Sequence, residues 1–561
     1  MSALTSLPAG DEPFDVFAGA RRAASVIVLR DDAARGVEVL MLRRAERDGD
    51  IRSGVAVFPG GVLDERDRDA HRHCSGWTDP LASARLGLAG GGLDYLVAAV
   101  RECFEEVGLL YARELREETL QRALRDWRAP LHRGEQPLVA LCEAMQLTLD
   151  LDAWQYWSHW LTPPGNLKRF DTRFFVARVP PGQDAEADGG EAVELMWLTP
   201  AQALQPERGL KLLPVTRRTL QQLGRFATVD EVLAFAATQR EVPLTMPRLA
   251  AGPKGPRVVL PDELAWAEVG RLDPRGRGDV LAEIVAGRPV RLSPRIIRVT
   301  APNPGVMTGP GTNSYLVGDP AVDRWTVIDP GPDDERHRQA LLAAAPGPIE
   351  RILVTHTHVD HSPGAAGLAA ATGAPVLGRR ALHPQWHDTS FAPDAELAGG
   401  EILELGPGAT LEVIHTPGHA SNHLCYRLRE EKLLFTGDHV MQGSTVVINP
   451  PDGDMAAYLA SLRALLDLEL DWFAPGHGFL VAQPHQVVRA LLAHRQRREE
   501  KVAAALRQLG PATLDALVPL AYDDTPLPLH RIAQRSLLAH LLKLQAEGRA
   551  EEAGALWRAG G

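Results

Sequence analysis

Seven consecutive residues, Thr355-His356-Thr357-His358-Val359-Asp360-His361, constrain this chain more than any other stretch. Three imidazoles and a carboxylate fall within six positions, directly after the β-rich run Arg351-Ile352-Leu353-Val354. Such crowding is costly for a surface loop unless a divalent ion sits among the side chains. The spacing His-x-His-x-Asp-His lets His356 and His358 converge on one ion while Asp360 and His361 turn toward a second, the geometry of a two-metal hydrolase. Further ligands follow at wide intervals: His419 in Thr416-Pro417-Gly418-His419, Asp438 in Thr436-Gly437-Asp438-His439, and His477 in Pro475-Gly476-His477-Gly478. Each stands beside a glycine after an apolar run, as expected when a sheet delivers side chains from its loop edge into one cleft.

These ligands occupy the C-terminal half of a 561-residue chain, which is too long for one core and predicts several domains. A hydrophobic share of 45% and a charged share of 24% describe a globular chain and exclude disorder and fibrous structure. The net charge of -12 argues against indiscriminate binding to nucleic acid or anionic lipid. Cys74, Cys103, Cys142 and Cys425 are scattered without a C-x-x-C pair, so neither a disulfide framework nor a cysteine metal site is indicated. Met1 to Phe17 does not read as a signal peptide, and no run approaches the ~18 apolar residues of a membrane span. A reducing cytoplasm is the expected compartment. The oligomeric state is open.

A second chemistry is written near residue 105. Strands are expected at Ala23–Leu29 and Val37–Leu42 and at Val55–Phe58 before Pro59-Gly60-Gly61, with a helix over Asp94–Val107 ending at Gly108. In that helix Glu102, Glu105 and Glu106 fall at i, i+3 and i+4 and share a face. The apolar neighbours Leu96, Val97, Val100 and Val107 distinguish this face from a solvated acidic patch such as Glu117-Glu118. Oxygen-only ligation suits Mg2+ or Mn2+. Trp154, Trp157 and Trp160 are spaced as a helix face packed on the core. Helices are also expected over Pro214–Leu223 and Val229–Gln239, and the Pro- and Gly-rich stretch around 246–293 reads as an interdomain connector.

The run Arg101-Glu102-Cys103-Phe104-Glu105-Glu106-Val107-Gly108-Leu109 resembles the second half of the Nudix hydrolase box. The first half departs from the family: five residues beyond Gly61 stands Asp67 instead of Glu, and the spacer of seven residues is lengthened by an insertion near 68–93. With Phe58-Pro59-Gly60-Gly61 before it and Arg169-Phe170-Asp171-Thr172-Arg173-Phe174-Phe175 after it, the box is similar to the branch of coenzyme A diphosphatases. The resemblance implies that Glu102, Glu105 and Glu106 hold the metal, that Arg101 positions them, and that an acid outside the box, Glu194 or Glu191, helps activate water.

The histidine series resembles the metallo-β-lactamase fold in order, residue type and flanks. By that resemblance His356, His358 and His419 bind one zinc ion, Asp360, His361 and His477 a second, and Asp438 bridges them, with a bridging hydroxide as the attacking group. His415, His423 and His439 are expected to support these ligands, while His337, His383 and His387 read as ordinary packed histidines. Pro302-Asn303-Pro304-Gly305, Gly311-Thr312-Asn313-Ser314-Tyr315, Gly443-Ser444-Thr445-Val446-Val447 and Pro451-Asp452-Gly453-Asp454-Met455 resemble the branch typified by β-lactamase-like protein 2, which includes endoribonucleases on single-stranded RNA. The tail, with a helix opening at His494-Arg495-Gln496-Arg497-Arg498 and another over Arg531–Glu547, is similar to the winged-helix domain of that branch. On charge alone the basic run reads as a solvated helix face.

The expected architecture is therefore α/β and multidomain: a Nudix α/β/α sandwich over 1–245, a connector over 246–293, a metallo-β-lactamase αββα sandwich over 294–484 and a winged-helix-like domain over 485–561. The expected function is a metal-dependent hydrolase with two catalytic domains, one cleaving a nucleoside-diphosphate-linked or coenzyme A-type compound and one hydrolysing an ester-like bond. The alternative makes the Nudix part a non-catalytic ligand sensor and the dizinc part either a single-stranded RNA endoribonuclease or a thioesterase-like hydrolase.

Overall fold

The computed structural model describes residues 14–45, 54–187, 192–253 and 255–560; Met1–Pro13 and Glu191 lie outside them. The strand Ala20–Asp32 is a β-branched run buried on both faces and forms the centre of the first sheet. It pairs antiparallel with Gly36–Arg44 on one side and parallel with Arg169–Arg178 on the other. Val26 and Val28 point into a core shared with Leu96, Val97, Val100 and Phe104 of the glutamate helix, Gly92–Val107. Ile27 and Leu29 point the opposite way, toward Leu220 and Leu223 of Pro214–Leu223 and Val232 of Val229–Thr238. The result is an α/β/α sandwich.

One local expectation changes here. Trp157 and Trp160 lie on the strand Gln155–Leu161, which Trp154 directly precedes, and not on a helix. A register shift between Tyr156 and Ser158 lets Trp157 and Trp160 share one face, while Trp154 joins the core on the other. A spacing of three thus imitated a helix through a bulge. The insertion near 68–93 is also folded: Ala70, Ala82 and Leu86 enter the core beneath the glutamate helix. Gly92 is pressed so closely on this insertion that a Cβ would lie 2.2 Å from the Ser83 nitrogen.

The second half is a sandwich of two sheets. One runs from Val290–Ser293 through Asn313–Asp319 and Ile349–Leu353 to Ala395–Glu396; the other runs from Ile402–Gly406 through Leu433–Gly437 to Val481–Ala482. Tyr315, Val317 and Leu353 of the first meet Leu411, Tyr426 and Phe435 of the second in the central core. Helices cover both outer faces, giving the αββα layers.

Residues 246–293 do not form a free linker. They fold into a hairpin, Arg248–Gly252 with Gly255–Val259, and a helix, Trp266–Leu272, and end in a strand on the edge of the first sheet of the sandwich. Buried Glu268 of that helix pairs with buried Arg298 at 2.6 Å. At the other end, Pro484–Leu509, Leu514–Ala521, His530–Ala546 and the hairpin Ala550–Ala553 with Leu556–Ala559 enclose Leu506, Leu517, Leu541 and Trp557 as a winged-helix domain. The helix expected to open at His494 begins ten residues earlier, at Pro484. Its charged run is also not a solvated face, because Arg495, Arg498 and Glu499 are buried. Arg498 donates to the Ala521 carbonyl, and Lys543 and Arg549 engage Glu499. Among the described residues no helix is long and apolar enough to cross a membrane.

Candidate metal centres

The two glycines after Pro59 shape the first centre. Gly60 has a φ of 156° and lies so close to Ala24 that a Cβ would stand 2.4 Å from its carbonyl oxygen. At Gly61 a Cβ would be 2.3 Å from the Glu102 carboxylate, so glycine there leaves the room that this carboxylate occupies. The Gly60 N–H donates to Glu106 Oε2 at 2.9 Å. Arg101 then ties the helix together: it donates to Asp67 Oδ1 at 2.8 Å, to the Val62 carbonyl at 2.9 Å and to Glu102 Oε1 at 2.8 Å. Asp67, the shorter acid at the box position, is therefore the anchor of Arg101.

Glu105 is buried beside this guanidinium. Burial, opposed by Arg101 and reinforced by the Glu102 charge, pushes its carboxyl up to about 7. A cavity of about 250 Å³ opens over the helix, with Glu102, Glu105 and Glu106 on one wall and Arg66, His132 and Gln136 among the residues on the others. Carboxylates and the guanidiniums of Arg66 and Arg101 line one cavity, an arrangement suited to a metal-bridged anion. Glu194 lies elsewhere: it is on the strand Ala192–Leu198, is half-exposed and pairs with Arg43 at 2.9 Å. It does not line this cavity.

The second centre gathers every histidine and aspartate of the expected ligand series. His356 Nε2 and His358 Nδ1 lie 2.9 Å apart, and His419 Nε2 is 3.1 Å from His358 Nδ1. Across the cleft His361 Nε2 and His477 Nε2 approach Asp360 Oδ2 at 3.3 and 3.4 Å. Asp438 stands between, with Oδ2 3.8 Å from His419 and Oδ1 3.5 and 3.3 Å from His361 and His477. One oxygen thus faces each trio. The glycine of Pro475-Gly476-His477 permits this closeness, since a Cβ there would be 2.7 Å from Asp438 Oδ1.

The outer nitrogens of three ligands show which way their lone pairs point. His361 Nδ1 bonds Asp329 Oδ2 at 2.9 Å, His419 Nδ1 bonds the Val447 carbonyl at 2.7 Å, and His477 Nδ1 bonds the Gly311 carbonyl at 3.2 Å. These acceptors require the proton on Nδ1, so each neutral ring turns a bare Nε2 inward. Buried His361 Nε2 and Asp438 Oδ1 find no hydrogen-bond partner. Converging lone pairs and orphaned buried atoms fit cations, and the groups that could hold a metal ion are His356, His358 and His419; His356, His361 and Asp438; and Asp360, His361 and His477.

Electrostatics divide the cluster. Burial and the neighbouring imidazoles of His361 and His358 hold His356 well below its usual range, and burial with His419 pushes His358 down to about 3. Burial also opposes charge on His477, yet Asp438 and Asp360 raise it to about 10; His361 is raised by Asp360, Asp438 and Asp329. Without a metal, a proton takes the place of the cation among the carboxylates.

Support comes partly from unexpected residues. His423 accepts from the Asp438 N–H at 3.2 Å and contacts Thr416 Oγ1 at 2.9 Å. His415 bonds the Ser421 carbonyl, and buried His439 packs on Tyr458; neither has a hydrogen bond to the metal-facing side chains. Conversely His387, read as an ordinary histidine, stacks on His358 with centroids 4.7 Å apart and is held by Asp452 at 2.9 Å and Thr357 at 2.8 Å. His337 bonds Ser314 as a packed histidine, and the His383 N–H donates to Asp452. Sequence reasoning missed Asp329 and His387. The acid of Ile328-Asp329-Pro330-Gly331, at the end of a buried strand with a φ of 53°, left a signal; His387 left none.

Residues 307–477 match the metallo-beta-lactamase superfamily model, residues 83–212 the NUDT19 Nudix domain and residues 513–557 the beta-lactamase associated winged helix domain. An atrochrysone carboxyl ACP thioesterase of Aspergillus fumigatus is 33% identical over 221 residues, which is 39% of this chain and 67% of that protein. A beta-lactamase-like protein 2 homolog of Drosophila melanogaster is 30% identical over 284 residues, covering 46% of this chain and 90% of the relative. Among solved structures, a metallo-beta-lactamase family protein of Thermus thermophilus has a TM-score of 0.41 at 25% identity, covering 48% of this chain and 100% of that one.

Proposed function

The chain belongs to the metallo-β-lactamase superfamily and is a hydrolase with a NUDT19-type Nudix domain ahead of it, and on that premise we propose that it carries two independent catalytic centres, a dizinc acyl-thioester hydrolase and a magnesium-dependent diphosphatase for a coenzyme A-type compound. In the dizinc centre His356, His358 and His419 would hold one ion, Asp360, His361 and His477 the other, and Asp438 both. The ions, when bound, supply an acidified water and offset negative charge on the substrate oxygen. Asp329, Val447 and Gly311 keep the histidine protons outward.

The observation that carries the thioester reading is the apolar rim. Val359 stands between His358 and Asp360 and is exposed; Val306 and Met307 are exposed on the loop that leads to Thr312, whose hydroxyl donates to Asp360, and Leu382 and Trp386 on the loop that ends at His387, which stacks on His358. Such a mouth suits an acyl chain beside a scissile carbonyl better than a polyanion. A relative named as an acyl carrier protein thioesterase agrees. In the Nudix centre Glu102, Glu105 and Glu106 would hold magnesium, with Arg66 and His132 facing the diphosphate across the cavity.

Cleavage of single-stranded RNA is the second reading, favoured by Arg535, whose guanidinium lies 5.5 Å from the Trp386 ring centre and pairs a cation with a stacking face at the rim. A panel of acyl-thioesters and single-stranded RNA, tested on the full chain and on His356→Ala, decides between them. Thioester turnover lost in the variant is expected; RNA cutting lost in the variant with no thioester turnover overturns the first reading. Magnesium-dependent cleavage of coenzyme A by the Asp438→Ala chain tests the Nudix centre, and a chain that binds coenzyme A without cleaving it makes that domain a sensor.

A further inference from the structure

The two histidines that would close the dizinc centre, His419 and His477, are backed from outside the two sheets as well as from within them, where Asn313 donates to the carbonyls of Pro475 and Gly478. His419 leans on the Val447 carbonyl, and that segment is gripped from the C-terminal domain on both sides. Buried Arg495 of Pro484–Leu509 donates to the Val446 carbonyl, and the Ile448 N–H donates to Ser536 Oγ of His530–Ala546 at 3.3 Å. The Arg495 guanidinium also lies 5.4 Å from the Tyr458 ring centre, and Tyr458 backs the residue before His419, where a Cβ on Gly418 would be 2.3 Å from Tyr458 Cα. One buried cation therefore bonds the residue before Val447 and lies over Tyr458, the two segments that back His419.

His477 has a matching arrangement on the opposite side. Glu268, on the connector helix Trp266–Leu272, accepts from the Leu480 N–H at 2.8 Å. It pairs twice with Arg298, at 2.6 and 2.9 Å, and Arg298 reaches the Gly478 carbonyl at 3.5 Å. The loop after His477 is thus clamped by a carboxylate that is 2% exposed and belongs to a segment whose composition suggested a linker. Neither residue is a ligand, and neither reaches the cleft.

We propose that Arg495 and Glu268 are positioning residues for separate metal ions: Arg495 sets His419 for the ion of His356 and His358, and Glu268 sets His477 for the ion of Asp360 and His361. The assignment rests on the dizinc reading above. The catalytic fold is then completed by its neighbours, the winged-helix domain on one flank and the connector on the other. Loss of an outer partner of a metal ligand typically weakens metal binding by about 10- to 100-fold.

Zinc affinity of the full-length chain, measured by competition with a chromophoric chelator, tests this without reference to any substrate. Wild type is expected to bind two ions. Arg495→Met, which keeps an aliphatic stem against Tyr458, should weaken one ion by about tenfold and leave the other unchanged. Arg495→Lys, which restores a donor to Val446, should recover it, and a purely structural role would not give that rescue. Ser536→Ala, a milder change, should weaken the same ion. Glu268→Gln should weaken the other. The His358→Ala background separates the two: there Arg495→Met should have no further effect on the remaining ion, while Glu268→Gln still weakens it. Wild-type affinity in Arg495→Met, equal weakening of both ions, or failure of Lys to restore binding overturns the proposal. Uptake of fewer than two ions by wild type overturns the dizinc reading on which it stands.

Discussion

The histidine centre and the glutamate helix are built in opposite ways, and each would hold a metal differently. Ligands of the first come from loops between residues 356 and 477, and three of its histidines are locked by a carbonyl or carboxylate behind the ring. The three glutamates of the second come from two turns of one helix, with Arg101 beside Glu102 and Glu105 and the Gly60 N–H on Glu106. In the first, the backing acceptors fix which nitrogen of His361, His419 and His477 faces inward. The second is an acidic face on a cavity, which would leave a hard cation positions for waters and substrate oxygens. The first thus has a separate support behind each of three rings, whereas in the second one guanidinium serves two of the three carboxylates.

This contrast is broken most directly at the bridge. Asp438→Ala removes the carboxylate that faces both trios, so thioester hydrolysis should fall by more than about 100-fold, beyond the loss expected of an outer partner. Zinc content should fall with it, while coenzyme A cleavage stays at the wild-type rate. The reciprocal change, Glu105→Gln with Glu106→Gln, should abolish diphosphatase activity and leave zinc content at two ions. Loss of both activities from either change would show that the centres are coupled. The next effect is smaller. Asp67→Ala frees Arg101 to collapse onto Glu102 and Glu105, and the magnesium concentration for half-maximal activity should rise about tenfold; Asp67→Glu, the acid of the family pattern, should restore it. An unchanged magnesium requirement in Asp67→Ala would show that Arg101 needs no anchor.

The two centres also differ in how much of them the sequence disclosed. A histidine or aspartate beside a glycine at a strand end is a local pattern, so His419, Asp438 and His477 could be read along the chain, as His356 could from the crowded run that contains it, and the helix period alone put Glu102, Glu105 and Glu106 together. Supports are contacts between distant segments and left weaker traces. Asp329 meets His361 across 32 residues and His387 meets Asp452 across 65, and no periodicity reports either. The same limit explains Arg495 and Glu268, whose surroundings read as a solvated charge run and a linker because burial depends on partners that local composition does not name. Trp157 and Trp160 failed for a different reason, since a bulge gives a strand the spacing of a helix.

Protons sharpen the comparison at its finest grain. Burial, opposed by Arg101 and helped by Glu102, raises Glu105 from an ordinary 4.5 to about 7, so the metal-free folded chain holds a proton there that the unfolded chain has already released. The sign follows from linkage: stability of the metal-free chain decreases as pH rises from about 4.5 toward 7, and magnesium reverses the loss by replacing the proton. Magnesium affinity should accordingly increase as pH rises through 7 and level off above it, with up to one proton released per ion below that point. Isothermal titration in buffers of different ionisation enthalpy measures the released proton, and thermal unfolding with and without magnesium at pH 6 and pH 8 measures the stability change. Glu105→Gln should remove the pH dependence of both. A magnesium affinity that is flat from pH 6 to 8 would mean that Glu105 is already ionised in the folded chain, and that Arg101 outweighs burial.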